Sequence, residues 1–152
     1  MNLSQEHRET LLAVAHESVV HAVENGTQPS VDVENFSPVL REMRASFVTL
    51  KKGGRLRGCL GMITAHRPLV EDVAHNAAAA AMSDPRFAPV QLHEVSDLSL
   101  SISILTPTER LDVASRQDLL AALQVGTHGL IIKDGPRRAA FLPVMWEQFP
   151  KP

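Results

Sequence analysis

The sequence is poor in three things: it has one cysteine, 4% aromatic residues and a net charge of only −2 over 152 residues. One cysteine cannot close a disulfide within the chain, and no charged-then-apolar leader opens it, so a reducing, cytoplasmic setting is expected. Near-neutral charge, with a pI of about 6.4, supplies no positive field to draw the chain onto nucleic acid or an anionic membrane. The basic pairs Lys51-Lys52 and Arg137-Arg138 adjoin turn residues and read as solvated hairpin ends. No apolar run approaches the roughly 20 residues that a membrane helix needs. Also missing are G-x-x-x-x-G-K-[ST], G-x-G-x-x-G after a strand, H-E-x-x-H, G-x-S-x-G and a paired C-x-x-C, so no metal and no cofactor is expected.

What is present is an ordinary globular composition, 44% hydrophobic and 21% charged, in a chain long enough for one domain spanning 1–152. Leu11, Leu12, Ala15, Val19, Ala22 and Val23 recur at helical spacing and predict a first helix between Leu3 and Val23, stopped by Asn25-Gly26. His7, His16 and His21 lie on or near it, but no two stand at the i, i+4 spacing that stacks metal ligands. Ala45–Leu50 and Arg55–Met62 read as the two arms of a hairpin joined through Gly53-Gly54. Pro68 opens a second helix running to Met82, whose five alanines, 77–81, keep it thin enough for a sheet or another helix to approach its backbone. Asp84-Pro85-Arg86 ends it, and a local Asp84–Arg86 pair across that turn is the preferred reading.

Leu98–Leu105 alternates apolar residues with Ser99, Ser101 and Ser103, giving a strand with one core face and one small hydroxylated face. Ser115 caps a third helix that continues toward Gly126, and Asp134-Gly135 turns a second hairpin. The expected architecture is therefore α+β: a largely antiparallel sheet with at least two hairpins and three helices.

Chemistry concentrates in Arg55-Leu56-Arg57-Gly58-Cys59-Leu60-Gly61. Strict alternation along a strand puts Arg55, Arg57, Cys59 and Gly61 on one face and Leu56, Gly58, Leu60 and Met62 on the other. On that reading the thiol sits with cations, which favour its reactive thiolate form, and Gly58 and Gly61 leave backbone room for a ligand. A lone strand cysteine is also, commonly, a small buried hydrophobe, and a β-bulge at Gly58 would reverse its facing. Asn76 falls in the apolar stripe of the second helix and needs hydrogen-bond partners, from a neighbouring segment or from a ligand. His66, His75, His93 and His128 are each free in sequence to approach Cys59 as a base.

Leu56-Arg57-Gly58-Cys59-Leu60-Gly61, followed by Asn76-Ala77, Asp84-Pro85-Arg86-Phe87, Gly135 through Arg138, Phe141-Leu142-Pro143 and Trp146-Glu147, resembles the AMMECR-type domain family. Its hallmark is Leu-Arg-Gly-Cys-Ile-Gly; Leu60 stands here for the isoleucine. The resemblance covers nearly the whole chain and implies an α+β fold with a larger and a smaller lobe and the cysteine motif near a cleft between them. It further implies a gene system shared with a radical-SAM protein and a Memo-like protein. Relatives continue beyond the point where this chain stops at Lys151-Pro152, so the family's usual C-terminal segment is expected to be missing.

Two functions from different classes follow. In one, the chain is an enzyme subunit with Cys59 as nucleophile or redox thiol on a small anionic substrate, and Arg57, Gly58, Gly61, Asn76, Arg86 and Arg138 shape its pocket. In the other, it is a non-catalytic module that presents a substrate or a protein surface to a partner enzyme.

Overall fold

Helix α1 (Gln5–Asn25) starts where Ser4 can cap it: the Ser4 hydroxyl accepts the His7 N–H at 3.2 Å, and the His7 ring accepts the Ser4 N–H at 3.4 Å. It stops at Gly26, whose φ of 68° suits a residue without a Cβ and whose N–H closes on the Ala22 carbonyl. Its buried stripe is Leu11, Ala15, Val19 and Ala22. Helix α2 (Leu69–Met82) follows Pro68, and its first N–H, from Leu69, donates to the Glu42 carbonyl. Leu69, Val70, Val73 and Ala77 are completely buried, so α2 is the central element of the core.

The structure, a computed structural model, describes residues 3–147, with no side chain described at 138, 144 and 147. Among the described residues no helix is long and apolar enough to cross a membrane. Contacts divide the chain into two compact units, residues 1–107 and 108–152.

In the first unit, β1 (Ala45–Lys52), β2 (Arg55–Gly61) and β3 (Leu98–Leu105) form an antiparallel sheet in the order β2-β1-β3. Gly53 and Gly54 take φ of 55° and 77°, the two positive values of a tight hairpin turn between β1 and β2. Central β1 sends Val48 and Leu50, both 0% exposed, into the same core as α1 and α2. Each such side chain stabilises the fold by about 2 kcal/mol through removal from water. Leu98, Leu100, Ile102 and Ile104 pack against that core only half-buried, while Ser99 and Ser101 are exposed on the other face. The alternation read from β3 is the one observed.

In the second unit, Ser115 caps α3 (Arg116–Ala122), accepting the Asp118 N–H at 3.1 Å. The helix ends before Gly126, because Leu123 already takes extended backbone. Strands β4 (Leu130–Asp134) and β5 (Arg137–Phe141) pair antiparallel around Gly135. Trp146 packs edge-on to Phe141, ring centroids 4.7 Å apart, and donates its indole N–H to the His128 carbonyl. The α+β class, with its two hairpins, three helices and antiparallel sheet, is as the sequence predicts.

Candidate functional site

The register of the first hairpin decides where the thiol faces. Lys52 pairs with Arg55 and Lys51 with Leu56, but Leu50 then pairs with Gly58 and Thr49 with Cys59. Arg57 is the extra residue, a β-bulge in the edge strand. Strict alternation from Arg55 is thereby broken, and the expectation that Arg55, Arg57 and Cys59 share a face is corrected. Arg55 falls in register with Lys52 on the parity of Val48 and Leu50, whereas Cys59 falls in register with Thr49 on the opposite parity. Without the bulge, two-residue turn counting would have set Cys59 opposite Val48, toward the helices. The extra residue turns the sulfur to the face away from them.

On that face Cys59, Thr49 and Ser101 form one row across the three strands. The Thr49 hydroxyl lies 3.2 Å from the half-buried Cys59 sulfur, and Thr49 itself is 6% exposed. Among the described residues Thr49 is the side chain hydrogen-bonded to the sulfur, and no histidine is hydrogen-bonded to it. His75 sits on α2 with its Nδ1 buried and unpartnered, and the His128 Nδ1 accepts the Gln124 N–H in the second unit.

The backbone of Cys59 is held from outside the sheet. Its N–H donates to the Asp84 Oδ2 at 2.8 Å and its carbonyl accepts from the Arg86 Nη2 at 3.2 Å. The side chains of the turn after α2 therefore take the place of a neighbouring strand at this point of the edge. Asp84 also accepts the Arg86 Nε at 2.9 Å and Nη2 at 2.7 Å. That bidentate hydrogen bonding holds the Asp84 carboxyl well below its ordinary value of 3.8, against the opposing effect of its burial; the Cys59 N–H adds to the lowering. Arg86 is shifted up, first by Asp84 and, more weakly, by the field of Cys59. The local pair expected from the turn is present, and it reaches further than the turn.

Arg57, displaced by the bulge, folds over the segment that follows. Its Nη2 and Nε donate to Glu94 at 2.9 and 3.2 Å, and its Nη1 donates to the Ala88 carbonyl at 2.9 Å. Glu94 also accepts from Lys52 at 3.0 Å and from the Gln91 N–H at 3.0 Å. Its carboxyl is held well below the carboxylate range, chiefly by Arg57 and then by the Gln91 N–H. The cation read from sequence as a thiol activator is engaged by Glu94 and by main-chain carbonyls.

The glycines are explained by close approach. A Cβ on Gly58 would overlap the Ala80 carbonyl oxygen, so the thin alanine run of α2 meets the sheet here backbone to backbone. A Cβ on Gly61 would collide with the Ser46 carbonyl and with Phe47.

Asn76 lies elsewhere. It is 2% exposed and donates to Asp72 at 2.8 Å, to the Ser46 hydroxyl at 3.1 Å and to the Ser46 carbonyl at 3.0 Å. Asp72 accepts the Ser46 N–H at 2.8 Å and its hydroxyl at 2.7 Å. This network joins α2 to β1 on the parity of Val48 and Leu50, the face opposite the Cys59 sulfur. Arg138 belongs to β5, in the second unit, and its side chain lies outside the described residues.

The structure thus joins Arg86 to Cys59 and sets Gly61 on the parity of Cys59, while the bulge leaves Arg57 bound to Glu94 and Gly58 faces Ala80 on the helix side, the side on which Asn76 also lies. Thr49, Asp72, Ser46 and Glu94 were missed in the sequence. Thr49 was within reach, since the Gly53-Gly54 turn fixes pairing to within the one residue that the bulge inserts.

Comparison with known proteins places the chain. A protein of Methanothermobacter thermautotrophicus is 36% identical over 141 residues, covering 93% of this chain and 73% of its own length. One of Methanopyrus kandleri is 36% identical over 146 residues, covering 93% of this chain and 69% of its own. The crystal structure of the uncharacterized protein PH0010 from Pyrococcus horikoshii matches with a TM-score of 0.89 at 30% identity, covering 98% of this chain and 75% of that one. The AMMECR1 family model matches residues 12–150, and the chain belongs to the AMMECR1 family.

Proposed function

We propose that this chain is a non-catalytic binding module, presenting a substrate or a protein surface to a partner enzyme on the sheet face that carries Cys59, Thr49 and Ser101. One observation carries the reading: both arginines beside the thiol are already engaged, Arg57 by Glu94 and the Ala88 carbonyl, Arg86 by Asp84 and the Cys59 carbonyl. By register the same face also carries Phe47 and Lys51 beside Cys59, Thr49 and Ser101, a mixed surface with no general base hydrogen-bonded to the thiol among the described residues. The partners that the family resemblance suggests, a radical-SAM protein and a Memo-like protein, are the ones to try. The test is capture of those two proteins, purified from the same organism, on the immobilised chain. Cys59→Ala should retain capture, and attaching a bulky maleimide to Cys59 should abolish it. Loss of capture in Cys59→Ala, or indifference to the maleimide, would contradict the proposal.

A second reading, Cys59 as nucleophile or redox thiol on a small anionic substrate, is supported by the 3.2 Å approach of Thr49 and by Arg86, whose side chain is 55% exposed and which is shifted up first by Asp84 and more weakly by Cys59. Its measurement is the rate of Cys59 alkylation against pH. A midpoint near the ~8.5 of a free thiol, with full function in Cys59→Ser, removes it.

A further inference from the structure

The third position of a capping box is ordinarily filled by glutamate or glutamine. At the start of α1 it is filled by His7. The His7 Nδ1 accepts the Ser4 N–H at 3.4 Å, and the Ser4 hydroxyl accepts the His7 N–H at 3.2 Å. The Ser4 carbonyl takes the Arg8 N–H at 3.2 Å, so three hydrogen bonds close the first turn around one residue pair. A glutamine in this place accepts at every pH, whereas an imidazole accepts in one protonation state.

The donor to the ring is a backbone N–H, so Nδ1 carries a lone pair and the ring's one proton sits on Nε2. A second proton lands on Nδ1. It turns the acceptor into a donor that faces another donor, and it adds a positive charge where the unpaired N–H groups of the helix are already positive. Both effects favour an open turn once the ring is charged. Histidine is the side chain that makes this change between about pH 5 and 8.

The surroundings of the ring do not cancel these effects. Half-buried His7 borders a cavity of about 260 Å³ whose other walls are Glu6, Thr10, Asn35, Phe36, Ser37 and Leu40. Glu6 is the acid among them, and it is exposed. Glu34 and Arg41, which flank that stretch, pair with each other, and Glu9 accepts from Gln5. Of the other elements against α1, β3 carries no charge, α2 brings Glu71, Asp72 and His75, and the short helix Leu92–Asp97 brings His93, Glu94 and Asp97. Asp72 is taken by Ser46 and Asn76, and Glu94 by Arg57 and Lys52. Among the described residues the hydrogen-bond partner of the His7 ring is the Ser4 N–H, and no carboxylate is bonded to it.

We infer that Ser4 and His7 form a pH-sensitive latch on the first turn of α1, closed while the imidazole is neutral and released when it takes a second proton. Release loosens Leu3, which packs against the core from just outside the cap, and frees one wall of the cavity beside His7. The latch rests on no role for the Cys59 face and stands apart from the binding-module reading.

Amide–water exchange measured by NMR and corrected for its intrinsic pH dependence tests it. Protection of the Ser4 and Arg8 amides should fall at least about threefold, the scale of a lost cap, between about pH 7.5 and about pH 5. The amide of Val19, in the buried stripe of α1, should hold its protection throughout and report that each variant stays folded. His7→Gln keeps an acceptor in the box and should remove the pH dependence. His7→Glu should move the fall down to the carboxylate range, about pH 4.3. Protection at Ser4 and Arg8 that ignores pH in the natural chain overturns the latch. So does a fall of the same size in His7→Gln, which assigns it to another group, or an unmoved midpoint in His7→Glu.

Discussion

Asp72 and Asp84 each accept a backbone N–H from a strand of the same sheet, from Ser46 in β1 and from Cys59 in β2, both at 2.8 Å. Asp72 is 1% exposed and its hydrogen-bond partners, Ser46 and Asn76, are neutral; Asp84 is equally sequestered but pairs with an arginine that reaches solvent. The first carboxylate sits on the helix side, between α2 and the middle strand. The second caps an edge strand from a turn. A buried carboxylate with neutral partners ties two elements together, whereas an ion pair at an edge fixes one strand's backbone and leaves its other face available. The difference separates architecture from the surface where binding is proposed.

Substitutions on the helix side should therefore cost most. Gly58→Val drives a branched side chain into the Ala80 carbonyl, and a loss of about 4 kcal/mol or more is expected in urea unfolding. Asp72→Ala strands the Ser46 N–H in the core, removes the acceptor of the Ser46 hydroxyl and one of the acceptors of the Asn76 amide, and should cost about 3 kcal/mol by the same measurement. If Asp72→Ala proves milder than an edge substitution, the contrast between the two aspartates fails.

At the edge the effects shrink and acquire a pH signature. Asp84→Asn keeps an acceptor for the Cys59 N–H but loses the charged pairing with Arg86, and should cost about 2 kcal/mol at neutral pH. Because the folded carboxyl is held below its ordinary 3.8, its stabilisation is complete above the ordinary value and is lost as pH falls below it. The melting temperature of the natural chain should drop steeply below about pH 4, and Asp84→Asn should flatten that limb. Glu94 is lowered in the same direction, so Glu94→Gln should flatten it further. Smallest of all is Cys59→Ala, expected to change stability by about 1 kcal/mol or less.

Much of the fold was legible because local signals agreed. The stripe of Leu11, Ala15, Val19 and Ala22, the Gly53-Gly54 turn and the serine alternation of β3 each specify one structure, and the alanine run allowed a close approach by a sheet or a helix, which the sheet makes at Gly58. The site was legible only as a stretch of sequence. Alternation from Arg55 assigned faces as though the hairpin were regular, and a single inserted residue, Arg57, reverses the outcome on one side of itself and not on the other. Nothing local marks that insertion, because what stabilises it is Glu94 and the Ala88 carbonyl, more than thirty residues away in sequence. Asp72 was equally hidden, since its partner in β1 is fixed only once helix and sheet have packed.

The bulge-set facing of Cys59 is the point on which the binding surface depends, and alkylation of its thiol by iodoacetamide in the native protein, compared with the protein in denaturant, tests it directly. The natural chain should react without unfolding, at a rate within about tenfold of the denatured chain, as expected of a thiol open to reagent. Protection that is relieved only by global unfolding would show that the face carrying the sulfur is not open to a partner and contradict the account.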